Sequence, residues 1–305
     1  MKTPIPLIID TDPGVDDFFC LAMAGAFPDQ IDIKAVCATG GNNTTAVTTQ
    51  NALNILTLLQ VKAPVASGAS HYLDAEFGEP VVQFHGRNGL GNIELEKSPD
   101  QALPMPSWDL MYRIAMAQEN VQLLTVGPLT NVALALLKYP QLKTRIRRLT
   151  MMGGTTGRGN ITPYAEANIG HDAVAARIVF ESGIPIDMIG LNITRQCEVK
   201  PEELDAMGMD SDPLIRQVMH DLIVFRNGEA MHDAVAAATL LDDRFIQWKT
   251  AEADIETADP KTSGRVLLTP KEGGGSFRYA DSVDLAAYKR IFAGMVKLYP
   301  RAAKQ

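Results

Sequence analysis

Four aspartates, Asp10, Asp12, Asp16 and Asp17, fall within eight residues around a Pro13-Gly14 turn. Carboxylates this close repel one another unless a cation or a proton is shared. Hard divalent cations such as calcium and magnesium take oxygen ligands. Asp12 precedes the turn and Asp17 sits in the first turn of a helical pattern, so both can fold onto one ion with Asp16 nearby and free to touch water. The competing reading is an acidic helix start, since aspartate suits the orphan amides and positive end of a helix. That reading covers one or two of the four. It covers Asp10 poorly, because Asp10 ends an apolar run. The loop lacks the Gly-Lys-Ser/Thr end of a phosphate-binding loop and the three-glycine dinucleotide pattern.

Other polar positions are weaker on their own. Asp233 of His232-Asp233 either caps the helical run that follows or supplies a distant carboxylate to the same ion, and His232 has the chemistry to protonate a leaving group. His85 lies in His85-Gly86-Arg87-Asn88-Gly89-Leu90-Gly91, which reads as a mobile lid or as a plain surface loop. Asn160, Glu166 and Asn168 have groups suited to vicinal sugar hydroxyls, or form a polar loop and helix start. Asn42 and Asn131 share that ambiguity, and Thr130 reads as a helix N-cap. His71, His171 and His220 read as surface or partly buried histidines. No Gly-x-Ser-x-Gly elbow and no His-Glu-x-x-His are present.

The elements that must position these residues alternate. Pro6-Leu7-Ile8-Ile9 reads as a strand, followed by a helix from Asp16; 31–38 reads as a second strand, 48–59 as a helix, and 64–66 as a third strand. Residues 70–107 read as a long irregular stretch, which in a compact protein is functional or disordered. Helices are expected at 108–118, 130–137, 172–182, 201–206, 211–226, 232–240 and 284–298, strands at 121–126, 148–152 and 186–189, and short strands and turns over 250–285. The alternation predicts an α/β fold, an open and mostly parallel sheet flanked by helices. The polar clusters follow strands, which puts them at the carboxyl rim where open α/β sheets bind ligands. No repeat or linker is evident, so one domain over residues 1–305 is expected.

The chain has 305 residues, 46% hydrophobic, with a net charge of -8 and no long basic tract, which argues against a double-stranded nucleic-acid partner. Cys20, Cys37 and Cys197 share no short spacing and read as buried free thiols. The apolar start is too short for a signal sequence and no run reaches a membrane span, so a cytoplasmic protein with no membrane partner is expected.

The run Ile8-Ile9-Asp10-Thr11-Asp12-Pro13-Gly14-Val15-Asp16-Asp17 closely resembles the opening motif of the inosine-uridine-preferring nucleoside hydrolases. Further segments match in order: Gly41-Asn42; His85-Gly86 through Gly89-Leu90-Gly91; Val126-Gly127-Pro128-Leu129-Thr130-Asn131; Met152-Gly153-Gly154; Gly159-Asn160-Ile161-Thr162-Pro163; Ala165-Glu166-Ala167-Asn168; and His232-Asp233. The resemblance spans roughly residues 5–295. It implies a Rossmann-like nucleoside hydrolase fold, a calcium cofactor, a ribonucleoside substrate and a homodimer or homotetramer. It implies Asp12, Asp17, Asp233 and the Val126 carbonyl as calcium ligands, Asp16 as general base, and Asp10 as a residue that orients water or ribose. Asn42, Asn160, Glu166 and Asn168 match ribose-holding groups. His85 and His232 match residues on the base side, with His232 as the first candidate for the leaving-group acid. The implied reaction is attack of an activated water on C1′ as the glycosidic bond opens.

The sequence departs from that pattern at Ala167, where an aromatic is common, at His171-Asp172-Ala173 and at Ala234. Within 220–231 the family's tyrosines are absent and His220, Phe225, Arg226 and Asn227 are available instead. The alternatives kept open are a related hydrolase of modified N-ribosides and a non-catalytic nucleoside- or ribose-binding protein.

Overall fold

A computed structural model describes residues 3–207, 211–271 and 274–299. Its centre is a nine-stranded sheet: β1 (Ile5–Thr11), β2 (Ile31–Ala38), β3 (Val65–Ser67), β4 (Val121–Thr125), β5 (Ile146–Met152), β6 (Ile186–Ile189), β7 (Ile246–Ile255), β8 (Val266–Pro270) and β9 (Phe277–Val283). The spatial order is β3-β2-β1-β4-β5-β6-β9-β7-β8. Neighbours from β3 through β9 pair parallel, and β7 pairs antiparallel with both β9 and β8. The expected α/β architecture is therefore present, with an antiparallel ribbon at one edge.

The central parallel strands β1, β4, β5 and β6 are buried on both faces over most of their length, and their period-two geometry divides the core. Leu7 and Ile9 of β1 pack into one cluster with the helices Val15–Gly25, His232–Leu241 and Leu285–Leu298. Ile8, between them, packs on the other face with Leu110, Val132 and Val179 from the helices Ser107–Ala117, Thr130–Lys138 and Ala173–Phe180. In the first cluster Phe19 meets Phe18 edge-on at 5.5 Å and stacks on Phe292 at 5.8 Å between ring centroids. Ten consecutive residues of the first helix, Val15 through Ala24, are buried, so this helix is covered all round.

Two arrangements position the site. β1 lies between β2 and β4, and the chain winds away from it in both directions, which makes the carboxyl ends of β1 and β4 a topological switch point. The helices Val15–Gly25 and His232–Leu241 also pack on each other. Ala234, Ala236, Ala237 and Ala238 on the latter are all buried and let the two backbones approach closely. Their amino-terminal turns carry Asp16 and Asp17 on one helix and Asp233 on the other.

Several boundaries differ from expectation. The second helix starts at Thr45 rather than 48. The helix expected at 172–182 is Ala173–Phe180, and a separate helical turn, Ala167–Gly170, precedes it; each is capped by its own acid: Glu166 accepts from the Asn168 and Ile169 amides, Asp172 from that of Ala175. Thr130 is not the cap of its helix; its Oγ1 donates to Asp172 Oδ2 at 2.7 Å. The 250–285 region is built from strands longer than expected, beginning at Ile246. The irregular stretch contains one helical turn, Val82–His85. It is tied down by asparagines: Asn51 Nδ2 donates to the Pro13 and Asn88 carbonyls, and Asn43 Nδ2 to that of Arg87. All three cysteines are free and buried. Among the described residues no helix is long and apolar enough to cross a membrane.

Candidate active site

The acidic loop turns back on itself through hydrogen bonds to its own carboxylates. Asp17 Oδ2 accepts from the Gly14 amide at 2.9 Å, and Asp17 Oδ1 accepts from the Thr11 hydroxyl at 2.5 Å. Asn42 braces the turn from β2's loop. Its backbone N–H donates to Asp12 Oδ2 at 2.8 Å, and its amide Nδ2 donates to Asp17 Oδ2 and the Asp12 carbonyl, both at 3.1 Å. Two glycines leave room for this packing. A Cβ on Gly14 would lie 2.4 Å from His85 Nδ1 and 2.8 Å from Asn42 Nδ2, and one on Gly127 would lie 2.7 Å from Asp12 Oδ1.

One carboxylate oxygen from each of Asp16, Asp17 and Asp233 lies within 4.8 Å of the others, and all three residues are buried. Asp12 is outside this triad but close to it: its Oδ1, like Asp16 Oδ1 and Asp10 Oδ2, is buried with no hydrogen-bond partner. Burial, reinforced by mutual repulsion, raises the carboxyl groups. Asp17 is pushed up to about 7 by desolvation and then by Asp16. Asp12 rises well above the usual range through desolvation and then Asp17, and Asp233 through desolvation and then Asp16. Buried oxygens without donors and carboxylates destabilised by each other fit a hard divalent cation, which would supply the missing charge.

The remaining expected residues take distinct places. Asp10 is fully buried and does not line the cavity described below; Asn131 Nδ2 donates to its Oδ1 at 2.8 Å, and desolvation, partly offset by that bond, pushes it up to about 8. The Val126 carbonyl accepts from Asn168 Nδ2 at 2.9 Å, which leaves its second lone pair. Glu166 is turned inward as a helix cap and also accepts from the Gly154 amide at 2.8 Å; desolvation raises it to about 7. Asn160 Oδ1 accepts from the Ala167 amide at 2.9 Å.

A cavity of about 510 Å³ opens over this floor, within the size range of small-molecule sites. It collects Asp16, Asn42, His85, Val126, Asn160, Glu166, Asn168, His232 and Asp233 from six separate stretches of chain. His85 Nδ1 accepts from the Val15 amide at 3.2 Å, so its proton is on Nε2, and burial lowers the imidazole to about 4. His232 Nδ1 lies 2.7 Å from the Thr194 hydroxyl, and burial lowers this imidazole too. Both rings are therefore neutral near pH 7.

Sequence reasoning missed Thr11, Thr194 and the wall residues Phe84 and Arg195, and left His171 as a minor histidine. His171 lines the cavity, with Nδ1 2.7 Å from the Tyr72 hydroxyl. His220, considered for base contacts, is absent from the cavity wall and faces Asp205 and Asp221 instead.

Comparison with known proteins agrees with this arrangement. Residues 7–290 match the family model described as inosine-uridine preferring nucleoside hydrolase. The chain is 34% identical over 278 residues to the non-specific ribonucleoside hydrolase RihC of Salmonella enteritidis, covering 88% of this chain and 89% of that one. Among solved structures, a purine-preferring ribonucleoside hydrolase from Gardnerella vaginalis superposes with a TM-score of 0.90 at 28% identity, over 96% of this chain and 98% of that one. The plant nucleoside hydrolase PpNRh1 superposes with a TM-score of 0.88 at 26% identity, over 96% and 99%.

Proposed function

The chain belongs to the inosine-uridine preferring nucleoside hydrolase family and is a hydrolase, and from that premise we propose that it cleaves the N-glycosidic bond of ribonucleosides with calcium as its cofactor, releasing ribose and the free base. The observation that carries the reading is the buried Asp16-Asp17-Asp233 triad at the floor of a cavity whose walls supply amides and two neutral imidazoles. Asp12, Asp17, Asp233 and the Val126 carbonyl would hold the ion. When bound, it would bind the ribose diol and lower the pKa of a water molecule beside it.

The chain's own residues account for the rest. Asp16, with Oδ1 buried and unpartnered, is the general base that takes the proton of the attacking water. The water oxygen bonds to C1′ as the C1′–N bond breaks, and that bond's electron pair goes to the base. The carboxylates around the floor favour the positive charge that develops on the sugar. Asn42, Asn160 and Asn168 border the cavity where ribose hydroxyls would lie, with Glu166 fixing the turn that carries Asn168. Asp10, locked by Asn131 beneath the floor, orients this assembly from behind. His232, with Nδ1 tied to Thr194, is the candidate leaving-group acid. His85 serves the same side of the cavity.

The test is a panel of inosine, uridine, cytidine, adenosine and nicotinamide riboside, with products identified by mass, before and after chelation. Release of ribose and base that stops on chelation and returns with calcium is expected. Release that survives chelation would sink the metal-dependent part, and binding without release would leave a nucleoside-binding protein.

A further inference from the structure

The sugar-side wall carries an imidazole that the reaction above does not use. His171 lines the cavity, and its ring is held from behind by Tyr72, whose hydroxyl lies 2.7 Å from His171 Nδ1. Tyr72 is 5% exposed, packs edge-on against Phe77 at 4.5 Å, and has no other hydroxyl partner among the described residues. Burial, and then Asp12 and Asp172, raise the phenol, so it keeps its proton. A buried O–H needs an acceptor. Tyr72 therefore donates to Nδ1, and the imidazole proton is on Nε2. That N–H has no partner among the described residues and is not one of the sealed polar atoms, so it is open to the cavity. Burial lowers His171 from its ordinary value, which leaves the donor uncharged near pH 7. Arg226 perturbs both His85 and His232, whereas burial alone perturbs His171, which stands away from that base side.

The neighbours of His171 leave room. Its backbone amide donates to the Ala167 carbonyl at 2.9 Å, so the two side chains share one face of a helical turn, and Ala167 puts only a methyl on the wall. Ile161 packs beside Gly170 of the same turn, lines the cavity and is 43% exposed, so the wall opens to solvent there. Asn160 Oδ1 and both Glu166 carboxylate oxygens are turned to backbone amides. With the ribose diol at the acidic floor and the base toward His85 and His232, the C5′ end of the sugar is the part left to face this wall. We propose that the site takes ribonucleosides carrying an uncharged substituent on O5′, such as an ether, with O5′ accepting from His171 Nε2 and the substituent leaving the cavity past Ala167 and Ile161. This rests on the ribonucleoside reading above. The bonds made and broken are the same: the water oxygen goes to C1′, the base leaves with the C1′–N electron pair and gains a proton, and the substituent stays on the released sugar. A 5′-phosphate is excluded. It brings negative charge beside an acidic floor, and the neutral His171 offers no positive charge in return. Both wall arginines are committed, Arg195 to the Arg158 and Gly159 carbonyls and Arg226 to Glu229 and the Phe84 ring.

The experiment measures kcat/KM of the calcium-loaded protein and of its A167F and H171F variants on inosine, 5′-O-methylinosine, 5′-deoxyinosine and inosine 5′-monophosphate. Wild type should cleave the methyl ether within about tenfold of inosine, and 5′-deoxyinosine about 3–10-fold more slowly than inosine, the range for losing one neutral hydrogen bond. The monophosphate should not be cleaved measurably. H171F should abolish the gap between inosine and 5′-deoxyinosine. A167F, which fills the exit, should lower the ether-to-inosine ratio by about 10–10²-fold. A wild type that cleaves inosine but not its ether, or cleaves the monophosphate as fast as inosine, overturns the proposal and leaves the hydrolase reading standing. So does an H171F protein that keeps the 5′-deoxy gap, or an A167F protein that keeps the wild-type ratio. Should either variant fail to fold, the wild-type substrate series still decides. A wild type that cleaves no riboside at all removes the hydrolase reading and this proposal with it.

Discussion

Replacing Asp16 with Asn should stabilise the metal-free protein while abolishing turnover. Asp16, Asp17 and Asp233 each place a carboxylate oxygen within 4.8 Å of the others, and none is solvent-exposed. At an effective dielectric constant of about 20, two unit charges at that separation repel by roughly 3 kcal/mol. Asp17, raised to about 7, carries only part of its charge near neutrality, and burial and then Asp16 raise Asp233 well above the ordinary carboxylate range too. The repulsion relieved in D16N is then about 1–3 kcal/mol, which for a chain of this length raises Tm by about 2–5 °C. Calcium should stabilise wild type by mass action, and D16N, with one carboxylate fewer in the triad, by less. The assay is thermal unfolding of both proteins in chelator and in excess calcium, alongside inosine hydrolysis. A D16N protein that melts below wild type in chelator would refute the argument that these carboxylates strain the empty site.

Other perturbations give distinct signatures. Asp10 at about 8, Asp17 at about 7 and Glu166 at about 7 all have folded pKa values above their ordinary ones, so at these groups the folded chain binds more protons than the unfolded chain between about pH 4 and 8, opposed below about pH 6.5 by the lowered His85, His171 and His232. In chelator, Tm should therefore fall as pH rises through that window, and calcium should flatten the fall; a chelated protein that gains stability from pH 5 to 8 contradicts this. Asn131→Ala removes bonds to Asp10 Oδ1, the Ala38 carbonyl and the Ala69 amide. The Ala38 carbonyl keeps the Ser107 hydroxyl, but with Asp10 Oδ1 and the Ala69 amide left unpaired the variant should lose about 2–6 kcal/mol in denaturant unfolding, and a loss under about 1 kcal/mol would show that Asp10 needs no such anchor. His232→Ala should slow inosine hydrolysis far more than that of 4-nitrophenyl riboside, by up to about 10²–10⁴-fold; equal losses on the two would remove its acid role.

What the sequence disclosed follows from how local each feature is. The Asp10–Asp17 cluster is legible because four like charges in one turn have few structural excuses, and the alternation of β1 through β6 with helices is written in the apolar runs. Asp233 is different. Its companionship with Asp16 and Asp17 depends on two helices packing through buried alanines, and a lone His-Asp pair carries no sign of that. Thr194 and Asn131 act on partners 38 and 121 residues away, so no spacing rule finds them. Glu166 was legible as a polar group but not as a cap, since glutamate rarely fills that position and only the short turn Ala167–Gly170 calls for it. Arg226 read as one of several available side chains after residue 220; its burial against Phe84, far off in the irregular stretch, singles it out.

The central claim concerns one ion held by acids from both ends of the chain. Equilibrium dialysis of calcium against wild type and Asp233→Asn, with nucleoside hydrolysis followed in the same samples, tests it directly. The account predicts one tightly held ion per wild-type chain, and a parallel loss of ion and activity in D233N. A D233N protein that keeps its ion at wild-type affinity, or a chelated wild type that hydrolyses inosine at full rate, contradicts it.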